Sequence, residues 1–131
     1  MERDNGIAVR FGKTTPSEII SEISNNVPVN TVKTKTSAWT QFENFCAERG
    51  YTLTSETITH EMNKILTDYG FNMKKKNGED YKESSVKSLW NTTAQMLQEK
   101  YFKDFGIKID PFSDIVFSEA RKAKDTKRKL L

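Results

Sequence analysis

Three consecutive lysines, Lys74, Lys75 and Lys76, lead through Lys82 to Ser84, Ser85, Lys87, Ser88 and Asn91. Ammonium groups followed by small hydroxyls suit a phosphate. Cations supply charge, and a helix N-terminus adds free backbone N–H groups and a favourable dipole. A smaller group of the same kind, Thr31, Lys33, Thr34 and Lys35, opens an earlier helical stretch. A third runs through Arg121, Lys122, Lys124, Lys127, Arg128 and Lys129. Any one of these groups alone also describes a solvated face. Two helix starts carrying both hydroxyls and lysines point further together. If the fold brings those starts to one side, they form a phosphate cradle, and Lys87, Ser88 and Asn91 reach toward groove edges.

Other chemistry finds little support in the residue pattern. His60 is the single histidine and stands beside Glu61, with no second histidine or cysteine nearby. A structural metal takes about four ligands and a catalytic one about three, so no metal site is expected. Any Ser-His or Cys-His arrangement would need His60, and nothing in the spacing pairs it with Cys46 or a serine. The glycines sit at helix ends and in turns, without G-x-G-x-x-G or P-loop spacing. No catalytic residue, cofactor or small-molecule ligand is therefore expected.

The elements that must position the basic groups read as helices. Thr15-Pro16-Ser17-Glu18 is a helix start with a capping hydroxyl, Pro in first position and Glu three residues after the cap. The short helix that follows would turn Ile19, Ile20 and Ile23 inward and end at Asn25-Asn26. A second helix is expected from Asn30, as its cap, to Arg49, with Gly50 closing it and Val32, Trp39, Phe42, Phe45 and Cys46 at helical spacing. A third covers Ile58 to Tyr69, with Ile58, Met62, Ile65, Leu66 and Tyr69 inward and Gly70 at its end. Lys74 to Asp80 is a charged turn signalled by Asn77-Gly78; a hairpin would need strands that FNMKKK and EDYKE do not offer. A fourth helix runs from Ser84 or Ser85 to Asp104, with Val86, Leu89, Trp90, Thr93, Met96, Leu97 and Tyr101 inward and Gly106 as its stop. Asp110-Pro111 opens a fifth, with Phe112, Ile115, Val116, Phe117, Ala120 and Ala123 inward. The aromatics at helical spacing read as core rather than as stacking platforms for bases. The expected fold class is all-α, a bundle of four to five helices.

Bulk properties agree with a single globular domain of 131 residues, 35% hydrophobic, 11% aromatic and 30% charged. The net charge of +3 hides an asymmetry. Residues 1–70 hold 7 Lys/Arg against 9 Asp/Glu, and residues 71–131 hold 14 against 9. The basic surplus in the second half suits an anionic partner. The lone Cys46 lies on an apolar helix face and reads as a buried reduced thiol, which suits a reducing nuclear or cytoplasmic compartment. No membrane span or signal segment is expected.

Three stretches, NTVKTKTSAWTQFENFCAERG, YKESSVKSLWNTTAQML and FSEARKAKDTKRKLL, taken in this order and spacing, resemble the N-terminal core-binding domain of Crypton-type tyrosine recombinases and of host proteins derived from those transposons. The resemblance covers residues 30–131 and leaves 1–29 as an N-terminal arm with a short helix. It implies a SAM-like helical clamp on double-stranded DNA, with room for self-association on DNA. In a full recombinase of this kind a separate domain carries the tyrosine nucleophile, and Leu131 falls about where the linker to it would begin. Tyr69, Tyr81 and Tyr101 fall in or beside helices of the clamp and are not assigned that role. The alternative expectation is a domesticated helical module that docks on protein through an apolar groove and no longer binds DNA.

Overall fold

The computed structural model describes Gly12, residues 14–25 and residues 29–131; for residues 22–25 and 29–31 the description covers the backbone alone. Its helices are α1 (Pro16–Asn25), α2 (Val29–Arg49), α3 (Thr59–Asn72), α4 (Glu83–Phe105) and α5 (Ser118–Leu130), the last preceded by a single 3-10 turn, Ile115–Phe117. No strand occurs among the described residues, so the fold class is all-α. The chain divides into two compact units, Met1–Val32 and Lys33–Leu131.

In the first unit the expected start of α1 is formed as a reciprocal cap. The Glu18 N–H donates to Thr15 Oγ1 at 3.2 Å, and the Thr15 hydroxyl donates to the Glu18 carboxylate at 2.8 Å. The inward face assigned to this helix needs correction: Ile19 and Ile20 are exposed. Ile23 and the Asn26 helix stop lie outside the described side chains and residues.

The second unit is built around α3 and α4. Met62, Ile65, Leu66 and Tyr69 of α3 close on Val86, Trp90, Ala94, Leu97 and Tyr101 of α4, with Phe42 and Cys46 of α2 and Phe117 and Ala120 completing the core. Phe42 and Phe45 each bring a ring to 5.1 Å from Tyr69, a spacing at which edge contacts add to area burial. The aromatics expected as core include Trp90, Phe42 and Phe117, all fully buried.

One helix end differs from expectation for a packing reason. Gly70 does not stop α3, which continues to Asn72. Gly70 is needed inside the helix because a Cβ there would stand 3.0 Å from Trp90 Cδ1 and 3.1 Å from Nε1. The bare backbone lets the indole approach and its N–H donate to the Leu66 carbonyl at 3.2 Å. Ile58, expected inward, precedes the first turn and is exposed, and Phe71 is exposed while Met73 is buried. Gly50 and Gly106 do close their helices, at φ +78 and +67, the left-handed conformation that glycine adopts without a Cβ penalty.

The last helix is the largest departure. Asp110-Pro111 opens a turn rather than a helix: the Asp110 carboxylate accepts the N–H groups of Phe112 and Ser113 at 3.1 and 3.2 Å. Asp114 then caps the 3-10 turn through the Val116 N–H, and the α-helix begins only at Ser118. Phe112 and Ile115 consequently lie exposed, not in the core as their spacing suggested, whereas Phe117 and Ala120 are buried.

Candidate nucleic-acid interface

The charged turn between α3 and α4 is anchored at both sides. Met73 is buried before it, and after it the Tyr81 hydroxyl donates to Gln41 Oε1 of α2. Gln41 in turn donates through Nε2 to the Tyr69 hydroxyl at 3.2 Å. Within the turn Gly78 adopts φ +84, and the Glu79 N–H donates to Asn77 Oδ1 at 3.0 Å. The Asn-Gly pair thus makes a local turn without strands. Lys74, Lys75 and Lys76 are displayed on it, exposed.

α4 begins at Glu83, one to two residues earlier than the serine caps expected at Ser84 or Ser85. Lys82 occupies the cap position, and no side chain caps the helix. Ser84, Lys87 and Ser88 are exposed, and Ser85 and Asn91 are half-buried. The first turns of α4 therefore offer hydroxyls and cations at an uncapped helix start, a location that favours anions.

The last turns of α5 lie against this region. Asp80 accepts from Lys74 at 2.7 Å and from Lys127 at 3.1 Å, and Glu83 accepts from Arg128 at 3.0 Å. Arg128 also reaches Asp125 at 3.3 Å. Lysine hydrogen bonds, from Lys74 first and then Lys127, hold the Asp80 carboxyl below the usual carboxylate range. The second and third basic groups of the sequence are thus one surface. Segments 74–87 and 121–129 carry eleven cations against four carboxylates, and the rest of the chain carries ten against fourteen.

Not every cation on that surface is presented outward. The Lys124 ammonium sits 4.7 Å over the Trp90 ring and only 12% of its side chain is exposed; burial lowers its pKa from the ordinary lysine value. Arg121 donates to the carbonyls of Pro111 and Asp114, each at 2.9 Å, and so ties α5 to the preceding loop. Arg128 is held between two carboxylates. These three residues, singled out from the sequence as DNA contacts, have intramolecular partners first. Lys75, Lys76, Lys82 and Lys87 are exposed in the first segment, and Lys122 and Lys129 in the second.

The first basic group lies elsewhere. α2 starts at Val29, not after an Asn30 cap. Lys35 pairs with Glu99 at 3.4 Å, and Glu99 lies roughly 24 Å along α4 from Glu83 at about 1.5 Å per residue. Further along α2, Gln41 meets Tyr81 just before α4 begins. α2 approaches the start of α4 with its later residues. Within the second unit, Lys35 therefore does not join the start of α4. Lys33 and Thr34 are exposed; the Thr31 side chain lies outside the described ones.

Sequence reasoning passed over Asp80 and Glu83, which organise the surface. Their signal was carboxylates interleaved with lysines at 79–83, opposite in sign to the run in 121–129. His60, Glu61, Asn63, Lys64, Thr67 and Glu119 line a separate hollow of about 410 Å³. Among the described residues no group of acidic, histidine and cysteine side chains could hold a metal ion, and no helix is long and apolar enough to cross a membrane. No family model, curated protein or solved structure matches the chain.

Proposed function

We propose that the chain is a duplex-DNA-binding helical domain of the tyrosine-recombinase core-binding kind, a clamp whose catalysis belongs to a separate domain. The observation that carries this reading is the joining of segments 74–87 and 121–129 into one surface with a surplus of seven positive charges. Such a surface suits a lattice of phosphates, and the uncapped start of α4 adds backbone donors to it. Phosphate contacts dominate the binding, with Lys75, Lys76, Lys82, Lys87 and Ser84 outermost and Ser88 and Asn91 toward the groove. Lys33 to Lys35 form a separate outlying contact. A DNA partner implies a nuclear setting in a cell with a nucleus, with room for copies to associate on DNA.

Duplex binding followed by fluorescence anisotropy at low and raised salt tests this. The affinity is expected to fall steeply with salt, log K dropping by about 0.9 per phosphate contact for each tenfold rise. Lys87→Glu should weaken binding by about tenfold or more, because it removes one contact and adds repulsion. Absent or salt-insensitive binding would sink the reading, and an unaltered Lys87→Glu variant would sink this placement of the site.

A second reading, a protein-docking module, has one observation in its favour. Phe102 and Phe105 are exposed at the far end of α4, beside a groove of about 390 Å³ lined by Gln98, Phe102, Ile109 and Asp110. Grouped exposed apolar side chains mark interaction surfaces more often than chance. A duplex that leaves the basic surface untouched would favour this reading.

A further inference from the structure

The cations of segments 74–87 and 121–129 fall into two layers. Lys75, Lys76, Lys82, Lys87, Lys122 and Lys129 are exposed. Lys74, Lys127 and Arg128 are already bound by carboxylates: Asp80 takes the first two, at 2.7 and 3.1 Å, and Glu83 takes the third, at 3.0 Å. Lys127 and Arg128 are the more enclosed, with 12% and 26% of their side chains exposed, whereas Lys74, at 48%, is held by its ion pair alone. Asp80 and Glu83 themselves are largely in solvent, at 43% and 58%. They stand where an incoming phosphate would meet the same ammonium and guanidinium groups.

We propose that Asp80 and Glu83 are specificity-determining residues of this surface: they hold its inner cations closed to single phosphates and open only to a polyanion with many phosphates at fixed spacing. The proposal rests on the duplex reading above and deepens it. A carboxylate tethered beside its cation acts at an effective concentration that a dilute free anion does not match. One phosphate ion would have to displace such a group alone, and each exposed ion pair exchanges nearly isoenergetically with a competitor. A duplex backbone first engages the outer lysines. Its neighbouring phosphates then exchange for Asp80 and Glu83 within the same complex. Bound counterions leave as each contact forms, and the displaced carboxylates swing into solvent, to which they are already open.

The test compares the unaltered chain with Asp80→Asn, Glu83→Gln and the double variant. Glu56→Gln serves as a control that makes the same charge change in the Thr52–Thr57 connection. The Tyr101 hydroxyl donates to the Thr54 carbonyl there, roughly 27 Å along α4 from Glu83 at about 1.5 Å per residue. Thermal melting establishes that each variant is folded, and either single variant suffices if the double one is not. Inorganic phosphate is titrated by NMR and a short duplex by anisotropy across salt. The unaltered chain should show no phosphate site, while the double variant should gain one in segments 74–87 and 121–129. The double variant should also bind duplex about tenfold more tightly at low salt, with a salt slope close to that of the unaltered chain because the same phosphates are contacted in both complexes. Equal tightening by Glu56→Gln, unchanged or weaker duplex binding by the double variant, or a phosphate site in the unaltered chain would overturn the proposal. If no protein binds duplex yet the double variant gains the phosphate site, the selectivity role stands and the duplex reading falls. If the unaltered chain binds duplex and the double variant matches it, the reverse holds.

Discussion

Single residues of the second unit make sharp chemical predictions. Cys46 is buried, and burial with the nearby Glu43 carboxylate pushes its thiol up to about 11. At neutral pH the thiolate is scarce, so Cys46 should react with a disulfide reagent only after denaturant is added. Rapid labelling of the native protein would contradict its place in the core. Tyr69 is held neutral more strongly, its hydroxyl pushed up to about 12 chiefly by burial. A raised folded value means the stabilising contribution is complete below pH 10, the ordinary tyrosine value, and is lost as pH rises through about 12. That loss is about 2–3 kcal/mol, readable as a fall in denaturation midpoint between those limits. Asp80 has the opposite sign. Its lowered value gives a contribution present above the ordinary carboxylate range and lost as pH falls through it. The burial of Cys46 was legible in the sequence because the apolar face of its helix was clear. The ion pairs of Asp80 were not, since sequence spacing does not tell which lysine of a distant helix a carboxylate will meet.

At the scale of elements, helix identity followed from apolar periodicity, and most of the inner stripe of α4 was legible: Val86, Trp90, Thr93, Leu97 and Tyr101 are buried as its spacing required, while Leu89 and Met96 are half-buried and Ala94, not expected there, is buried. Helix ends were less legible, for reasons that differ. Gly70 resembles a stop in sequence, yet its lack of a side chain serves the approach of Trp90 from another helix, a tertiary demand invisible to local pattern. Asp110-Pro111 resembles a start, yet Asp110 spends its carboxylate on a turn, and a second cap, Asp114, begins the 3-10 segment. Replacing Gly70 by Ala should therefore destabilise the fold despite alanine's better helix propensity. The overpacking cost of about 1–3 kcal/mol exceeds a propensity gain of about 1 kcal/mol. Chemical denaturation that finds the variant equal or more stable would show that the indole can retreat. Phe42→Ala should cost more, about 3–5 kcal/mol, because a fully buried ring leaves a cavity among Tyr69, Cys46 and their neighbours.

Over the whole molecule, charge is sorted. Segments 74–87 and 121–129, distant in sequence, are joined through Asp80 and Glu83, while the acidic balance lies in the remainder. The surplus in the second half was legible from composition, and so were the exposed cations of the turn. The place of Lys35 was not, because only packing decides that α2 meets Tyr81 through Gln41 and sets Lys35 beside Glu99. The basic surface is consequently one end of α4 with the end of α5, and the exposed apolar side chains Phe102 and Phe105 lie toward the other. The two readings of function thus occupy different ground on the same helix. The most direct measurement is an NMR titration of the isotopically labelled chain with duplex DNA at low and raised salt. The duplex-binding account predicts amide shifts concentrated in residues 74–91 and 121–129, fading as salt is raised. Shifts centred on Phe102 to Asp110, or none at low salt, would contradict it.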